Sequence, residues 1–563
     1  MRKGIVLAVF SAIIALGLLA CGGGSSSSNP PSKKISGTAA AGASIVGSVT
    51  IKDSSFPAKT KTVSIAADGN YSVDISGMSA PFVFRADGTV GGKTYHLCSV
   101  ATEADVNNTI NITPFTDLIV ANIAGTLAEN YFNSGDYSTL TAEQMNIQEA
   151  ALQAALLPTL QALGLDNSID LLRSSFSADH TGLDAALDII KVSVDSSTNV
   201  ATLTNVVTQQ TITNDISTGS TSGTLDDTTG VATGLTAIQA IALQFSTWSQ
   251  LFTASLPGPD NTQLLGLFDQ STFIQDGQDL PSFLSDVTSD PSNLGISFIN
   301  VVIQSINDTQ DAAVVSFSVM KNGVLLDTVA NWNCIKKNGA WLIQGDQRIA
   351  GVSVESSSIY GVKNAALIAT GVSFRIADAG GIGITTAEIS GPGIVSSITA
   401  TNNIGMYFFQ VPNSFDGILY GMTDGQIAQI PTTGAVYTFK LYAGSSLLAT
   451  YTETLSHKPY VSTQLTAANY ISITAPTSAA LSTFTSGNLH VSWILPSGLA
   501  ADWITLGMTD NSVFNFFEMG VKPTDTSATL IVTAIPSFTP TRRWLWVNGR
   551  DSNDVVFAAF LDY

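Results

Sequence analysis

The spacing of apolar residues changes several times along the chain. An almost continuous apolar run over 5–16 is followed, after a polar segment, by alternating apolar and polar positions up to residue 112. Apolar residues then recur at helical spacing to about residue 190, and alternation returns in the second half. Helical spacing predicts helices, and alternation of apolar and polar positions predicts half-buried strands. The pattern predicts a multidomain, mainly β protein, with β-sandwiches, a helical segment and one α+β domain.

The N-terminus has the features of an export signal. Arg2 and Lys3 precede an apolar run shorter than the about 20 residues that span a membrane. Residues 18–21, Leu-Leu-Ala-Cys, resemble a bacterial lipobox, in which signal peptidase II cuts before a cysteine that becomes diacylated. The resemblance implies a signal peptide over 1–20 and lipid on Cys21. An ordinary secretory signal with an incidental cysteine is the alternative.

A flexible tether is predicted over 21–36, since three glycines and four serines follow the cysteine directly. Gly22 occupies the position where inner-membrane lipoproteins of Gram-negative bacteria tend to carry Asp. The resemblance therefore implies an outer-membrane lipoprotein that faces the periplasm or the cell surface.

Short strands with turn signals fill 37–112. Val63, Tyr71 and Val73 lie on either side of Asp68-Gly69-Asn70, which predicts a tight hairpin. Together with the stretches over 36–43 and 45–51, this segment resembles the carboxypeptidase regulatory-like domain, a transthyretin-like β-sandwich. The resemblance implies a fold and no peptidase activity.

A helical domain is predicted over 113–216. Thr113 followed by Pro114 is typical of a helix start, and Thr141 with Gln144 forms a capping-box pattern. A third helix is predicted over 183–190. The Ser-, Thr- and Gly-rich stretch over 217–233 is interpreted as an interdomain linker.

The next domain is predicted over 234–354, with a helix at 236–254 and strands at 297–306, 312–320, 324–335 and 340–354. Asn322-Gly323 and Asn338-Gly339 are strong hairpin signals. A helix followed by long strands, with the sequence Lys-Asn-Gly-Ala-Trp-Leu-Ile-Gln-Gly-Asp at 337–346, resembles the cone-shaped nuclear transport factor superfamily. Since that superfamily includes enzymes and carriers, the resemblance implies that this domain could hold a pocket.

With Asn338-Gly339 as a two-residue turn, the register of the two flanking strands is set, and this register predicts which side chains share a face. Lys336 should pair with Trp341, Cys334 with Ile343 and Trp332 with Gly345. The apolar face should pack on the 236–254 helix and line any pocket with Trp332, Cys334, Trp341 and Ile343. The opposite face, with Asn331, Asn333, Gln344 and Asp346, should meet solvent or another subunit, and Asp346→Asn should be nearly silent.

Alternating positions continue to the C-terminus and predict two further sandwiches. Val372, Phe374 and Ile376 alternate in the first, over 355–466, which is interpreted as immunoglobulin-like. Over 467–563, Trp493 ends an alternating run, and this segment resembles a fibronectin type III sandwich.

Charge and cysteine content exclude several classes of protein. The formal net charge is −20 at pH 7, and without Arg2 and Lys3 it is −22, from 21 basic and 43 acidic residues. That charge repels nucleic acid and anionic lipid. Beyond Cys21 only Cys98 and Cys334 remain, and their predicted places in different domains favour two buried thiols over a disulfide.

Motifs for chemistry are few. Residues 88–94, Gly-Thr-Val-Gly-Gly-Lys-Thr, have one residue too few for a phosphate-binding loop and precede a predicted strand, so a hairpin is the better interpretation. The four histidines are isolated in sequence. Asp179, Asp184 and Asp188 around His180 could gather a cation, but carboxylates near a helix start are common without one. No catalytic residue, metal site or cofactor is predicted.

These observations favour an outer-membrane-anchored, non-enzymatic lipoprotein that serves as a binding, adhesion or assembly scaffold. The membrane would be contacted through the N-terminal lipid, and the ligand would be a protein or a carbohydrate. The alternative is a small-molecule carrier or an enzyme that uses a pocket in 234–354. The oligomeric state stays open.

Changing Cys21 to Ala should leave the precursor uncleaved or release the protein from the membrane fraction, because no thiol remains to accept lipid. Cell fractionation with mass spectrometry of the N-terminus measures both effects. Ser25→Ala, just outside the motif, should mature normally. Normal maturation and membrane attachment of the Cys21→Ala protein would contradict the anchor.

Overall fold

The computed structural model describes residues 33–137, 140–290, 293–321, 324–402, 408–510 and 513–563. Cys21, the signal peptide and most of the tether lie outside these residues. Strands account for 42% of the chain and helices for 20%, which confirms the predicted mainly β, multidomain class. Among the described residues, no helix is both long and apolar enough to cross a membrane.

The first domain is a β-sandwich of two unequal sheets. Its strands are β1 (Lys34–Thr38), β2 (Val46–Asp53), β3 (Thr60–Ser64), β4 (Asn70–Asp74), β5 (Phe82–Val90) and β6 (Lys93–Ala101). One sheet pairs β1 with β4, and the other has the order β3-β2-β5-β6. Because β1 begins at Lys34, the sandwich starts inside the segment that was predicted as tether.

The turn at Asp68-Gly69-Asn70 does not form the predicted hairpin. The flanking strands belong to different sheets, β3 with β2 and β4 with β1. The turn itself is present, since the Gly69 N–H donates to the Ala66 carbonyl at 2.9 Å. Turn chemistry is local, whereas the choice of strand partner depends on the whole sandwich core, so the prediction was right about the turn and wrong about the pairing.

Four helices follow, and the first and third begin where their capping residues predict. They are α1 (Pro114–Ala124), α2 (Ala128–Ser134), α3 (Ala142–Ala162) and α4 (Gly182–Ile189). Thr113 Oγ1 accepts the Thr116 N–H at 3.2 Å, and Thr141 Oγ1 accepts the Gln144 N–H at 3.2 Å. These contacts satisfy N–H groups that have no partner within the helix.

The segment after α4 is neither helical nor a linker. It forms a four-stranded antiparallel meander with the order β10-β9-β8-β7, from β7 (Ile190–Asp195), β8 (Val200–Asn205), β9 (Thr211–Asp215) and β10 (Ser220–Ser222). Leu225 is fully buried, and its N–H donates to Ala155 of α3 at 2.8 Å. The prediction of helix to 216 and linker over 217–233 was therefore wrong, because a Ser/Thr-rich composition also suits exposed strands.

The next domain packs a long helix on a curved sheet. Its elements are α5 (Val231–Leu251), α6 (Thr262–Leu265), β11 (Ile274–Gln275), β12 (Gln278–Asp279), α7 (Leu280–Ser289), β13 (Ile296–Ile306), β14 (Ala312–Lys321), β15 (Val324–Lys337) and β16 (Ala340–Gly345). The main sheet has the order β13-β14-β15-β16, and α5 lies across it. The predicted helix and the first three strands are present. The fourth ends at Gly345, where φ is +78° and a Cβ would lie 2.2 Å from the Ile274 carbonyl oxygen.

The predicted register between β15 and β16 is right for two of three pairs. Lys336 faces Trp341 and Cys334 faces Ile343, but Asn333, rather than Trp332, pairs with Gly345. A bulge between Asn333 and Cys334 causes the shift. Such an irregularity is not encoded in the turn that sets the register of the rest of the hairpin.

The C-terminal half contains two sandwiches that share a sheet. The strands are β17 (Gly351–Gly361), β18 (Ala366–Ala377), β19 (Thr386–Ser390), β20 (Ile398–Thr401), β21 (Leu419–Gly421), β22 (Ala435–Ala443), β23 (Ser446–Leu455), β24 (Ser472–Ala475), β25 (Gly487–Ile494), β26 (Ala500–Thr509), β27 (Phe514–Gly520), β28 (Ser527–Val532), β29 (Arg542–Arg550) and β30 (Val556–Asp562), with the short helices α8 (Asp424–Ile427) and α9 (Ser478–Thr483). Seven strands run in the order β21-β18-β17-β30-β29-β26-β27. The boundary predicted at 466/467 is thus crossed by one continuous sheet.

Trp332→Ala should lower the free energy of unfolding by about 3–5 kcal/mol, as the loss of a large buried aromatic does. The Trp332 ring stacks on Trp248 of α5 at 5.9 Å and meets Phe317 edge-on at 5.1 Å. Urea denaturation of the full chain, followed by tryptophan fluorescence, measures the change. Phe516→Ala, at a side chain that is 48% exposed, should cost much less, and equal losses would contradict the packing argument.

Candidate functional site

The four residues predicted to line a pocket all lie in the core. Trp332, Cys334, Trp341 and Ile343 are at most 4% exposed and belong to the cluster that packs against α5. The apolar face therefore meets the helix as predicted. Burial raises the pKa of the Cys334 thiol to about 12, so this cysteine is not a nucleophile at neutral pH. Of the four, Trp332 also borders a groove on the other side of the sheet.

That groove lies between β15 and strand β23 of the following sandwich. It has a volume of about 410 Å³ and is open to solvent. One wall is formed by 329–332 of β15, the other by 450–453 of β23, and Gln275, Asp346 and Arg348 close one end. The predicted polar face of β15 and β16 is thus covered in part by another domain of the same chain, instead of by solvent or a second subunit.

Asp346 is the titratable group of most interest in the groove. Its Oδ1 accepts the N–H groups of Arg348 at 2.8 Å and Asp276 at 3.1 Å. Burial and, second, the neighbouring Asp276 carboxylate raise the pKa of Asp346 from 3.8 to about 7. A carboxyl group with this pKa could donate or accept a hydrogen bond near neutral pH.

Arg348 ties the two walls of the groove together. Its Nη2 donates to Glu453 Oε1 at 2.7 Å, and its guanidinium lies 4.3 Å from the centroid of the Tyr451 ring. The Tyr451 hydroxyl accepts the Ile349 N–H at 2.9 Å. The positive charge in the groove is therefore already neutralised and stacked within the protein.

The other candidate motifs from the sequence have structural roles. Val90 pairs with Lys93 across a two-residue turn in which Gly91 and Gly92 both have positive φ, so residues 88–94 form the expected hairpin. The His96 imidazole contacts Asp87 at 2.7 Å. Cys98 and Cys334 are buried free thiols, as predicted.

The structure brings together three of the four residues that the sequence marked as a possible cation cluster. One donor atom each from His180, Asp184 and Asp188 lies within 4.8 Å of the other two. Asp179 is exposed and instead accepts hydrogen bonds from the N–H and hydroxyl of Thr181. The four-residue spacing of the three grouped residues was visible in the sequence, but their burial was not.

Asp346→Asn should stabilise the protein above pH 7 by on the order of 1–2 kcal/mol, after allowance for partial solvent screening. The folded carboxyl group keeps its proton to about pH 7, whereas the unfolded group loses it near 3.8. Stability is therefore lost as the pH rises through this window, and the amide escapes that loss. This replaces the expectation of a silent substitution.

Urea denaturation at pH 5 and pH 8 tests the effect, with Asp308→Asn at an exposed loop position as the matched control. The Asp346 variant should gain more stability relative to wild type at pH 8 than at pH 5, because only part of the loss has occurred at the lower pH. A loss of stability at pH 8 would mean that the ionised carboxylate is needed as an acceptor and that the argument is wrong.

No protein-family model and no curated protein matches the chain. Among solved structures, it is similar to the FN1–FN3 domains of chicken CNTN1, at 12% identity over 47% of this chain and 96% of that one, with a TM-score of 0.13. A 1.5-MDa bacterial ice-binding adhesin matches at 12% identity over 45% and 89%, with a TM-score of 0.14. A tetra-tandem repeat in the extending region of a large adhesion protein matches at 9% identity over 94% and 98%, with a TM-score of 0.13. Scores this low carry no argument about function.

Proposed function

We propose that the chain is a stiff, non-enzymatic binding or adhesion scaffold, held at the outer membrane by lipid on Cys21. The observation that carries the proposal is the continuous sheet of the C-terminal half. Strand β30 returns from the end of the chain and pairs in parallel with β17, from Ser357 opposite Val556 to Gly361 opposite Phe560. A sheet that crosses a domain boundary resists bending there, which suits a spacer more than a hinged enzyme.

A charged network reinforces the same junction. Arg550 contacts Glu355 at 2.5 Å and Asp502 at 2.6 Å, and Arg375 reaches Glu355 from the neighbouring strand at 2.9 Å. Burial of Glu355 opposes its ionisation, but the two guanidinium groups outweigh burial and lower its pKa to about 2. Glu355 thus stays ionised at every physiological pH.

The upstream junctions are also closed by specific contacts. In the first sandwich, the Ser44 hydroxyl donates to Asn300 Oδ1 of β13 at 2.9 Å, and the Gly91 turn lies against Ser316 of β14. The Arg348–Glu453 pair closes the next junction. Successive domains are therefore joined by packed contacts, which supports a scaffold that projects a binding surface at a fixed distance from the membrane.

The domain families suggested by the sequence fit this proposal. A transthyretin-like sandwich over 37–112 and immunoglobulin- and fibronectin-like sandwiches over 355–466 and 467–563 would be display modules. The 234–354 domain would be a nuclear transport factor-like cone whose interior is filled by aromatic side chains. Its ligand would be a protein or carbohydrate held on outer faces.

A carrier or enzyme that uses the groove is the second candidate. One observation favours it: Asp346, with a pKa near 7, borders a groove of about 410 Å³. Against it, the Asp346 oxygen that faces the backbone is held by two N–H groups, and Arg348 is paired with Glu453. Both groups therefore have structural partners that a substrate would have to displace.

Proteinase K treatment of intact cells tests both whether the chain is exposed on the cell surface and whether its domain junctions are rigid. A stiff surface scaffold should be released as one fragment of nearly full length, cut in the tether upstream of β1, which begins at Lys34. Glu355→Gln should add a cut between the C-terminal sandwiches, because it leaves two guanidinium groups without their shared partner, while the exposed Glu143→Gln should not. Protection until the cells are permeabilised, or separate domain-sized fragments from wild type, would contradict the proposal.

The same purified full chain, screened against nucleotide, peptide and ester substrates, separates the two candidates. The scaffold should hydrolyse none of them, and Lys93→Ala should change nothing, because Lys93 lies at a hairpin. A turnover that falls in Asp346→Asn and persists in Asp308→Asn would favour the enzyme.

A further inference from the structure

His180, Asp184 and Asp188 lie along one face of α4, from just before its first turn to its last. The two aspartates are one helical turn apart and both are fully buried, whereas the His180 side chain, just before the helix, is 16% exposed. His180 has a φ of +62°, a conformation that non-glycine residues adopt rarely and that turns the chain into the helix here. One oxygen or nitrogen from each residue lies within 4.8 Å of the other two.

Both carboxylates have one oxygen satisfied and one without a partner. Asp184 Oδ2 accepts the His180 N–H at 2.8 Å, and Asp188 Oδ2 contacts His180 Nδ1 at 2.8 Å. The Oδ1 atoms of Asp184 and Asp188 are buried and receive no hydrogen bond from the described residues. A buried carboxylate oxygen without a donor is costly, so two of them beside one imidazole indicate a missing positive partner.

Lys191 is a nearby cation that could pair with these oxygens, but its ammonium group donates elsewhere. Its Nζ donates to the Leu187 carbonyl at 3.0 Å, and neither orphaned oxygen receives a proton from it. Neither orphaned oxygen therefore has a hydrogen-bonded cationic partner among the described residues.

We propose that His180, Asp184 and Asp188 bind a divalent transition-metal cation of the Zn²⁺ or Mn²⁺ type. One imidazole nitrogen and two carboxylate oxygens suit such ions, which they hold at about 2.0–2.2 Å. Small side-chain rotations would bring the three donors to these distances. Ca²⁺ is disfavoured, because it takes about 6–8 oxygen ligands.

The position of the site suggests what the cation does. Gly42 of the first sandwich approaches so closely that a Cβ there would lie 3.0 Å from Asp188 Oδ1. From the next domain, Gln239 of α5 donates to the His180 carbonyl at 2.9 Å. A cation here would lock α4 where three parts of the chain meet, so its role is structural. The inference does not depend on the proposed adhesion function.

The test uses the purified full chain, stripped with EDTA and titrated separately with ZnCl₂, MnCl₂ and CaCl₂ by calorimetry and thermal unfolding. Zn²⁺ or Mn²⁺ should bind at one ion per chain and raise Tm, and Ca²⁺ should do neither. Asp184→Asn should weaken binding by about 100-fold or more, since changes that only touch a metal ligand already cost 10–100-fold. Asp179→Asn, which alters a neighbouring exposed carboxylate, should bind like wild type.

Thermal unfolding without metal distinguishes a variant that has lost metal binding from one that has lost its fold. Metal-free Asp184→Asn should be at least as stable as metal-free wild type, because it removes a buried charge with an unpartnered oxygen, and it should gain nothing from metal. If that variant fails to fold, His180→Ala, at the partly exposed ligand, decides in its place. Absence of one-to-one binding in wild type, or equal binding by the Asp184 and Asp179 variants, would overturn the proposal.

Discussion

The guanidinium of Arg550 lies between Glu355 and Asp502 and connects strands that are nearly two hundred residues apart in sequence. Removing these charges from water is costly, and the cost is offset only when each charge has well-placed partners. Here Glu355 has two, Arg375 and Arg550, and is only 11% exposed. The arrangement is possible because β30 lies beside β17, so the shared sheet and the ionic network require each other.

This dependence explains which features of the fold could be predicted. Caps at Thr113 and Thr141 and the buried alternation of Val372, Phe374 and Ile376 arise from neighbouring residues, and the sequence predicted them correctly. Apart from the β5–β6, β14–β15 and β15–β16 hairpins, strand partners were predicted wrongly or not at all. The parallel pairing of β17 with β30 and the assignment of β3 and β4 to different sheets depend on contacts between distant segments. Alternation predicts which face of a strand is buried, but it does not identify the neighbouring strand.

In the groove, too, features set by neighbouring residues were predictable and features set by distant contacts were not. The sequence placed Trp332 and Asp346 on opposite faces. The structure packs the Trp332 ring against Trp248 and Phe317, but both Trp332 and Asp346 border the groove. The sequence did not predict that strand β23 covers part of this polar face. Tyr451 and Glu453 of β23 line the groove, so a face expected to meet solvent lies between two domains. The raised pKa of Asp346 follows from that cover and from Asp276, neither of which is near it in sequence.

Three of the junctions within the described residues bring charged groups together, and they differ in how completely those groups are satisfied. Glu355 is matched by two guanidinium groups. Arg348 has Glu453 and Tyr451, although its Nε stays without a partner. At the third junction, two aspartate oxygens have none. Because packed interiors seldom leave charged oxygens unpaired, the incomplete junction is the one where a ligand from outside the chain would contribute most to the stability of the fold.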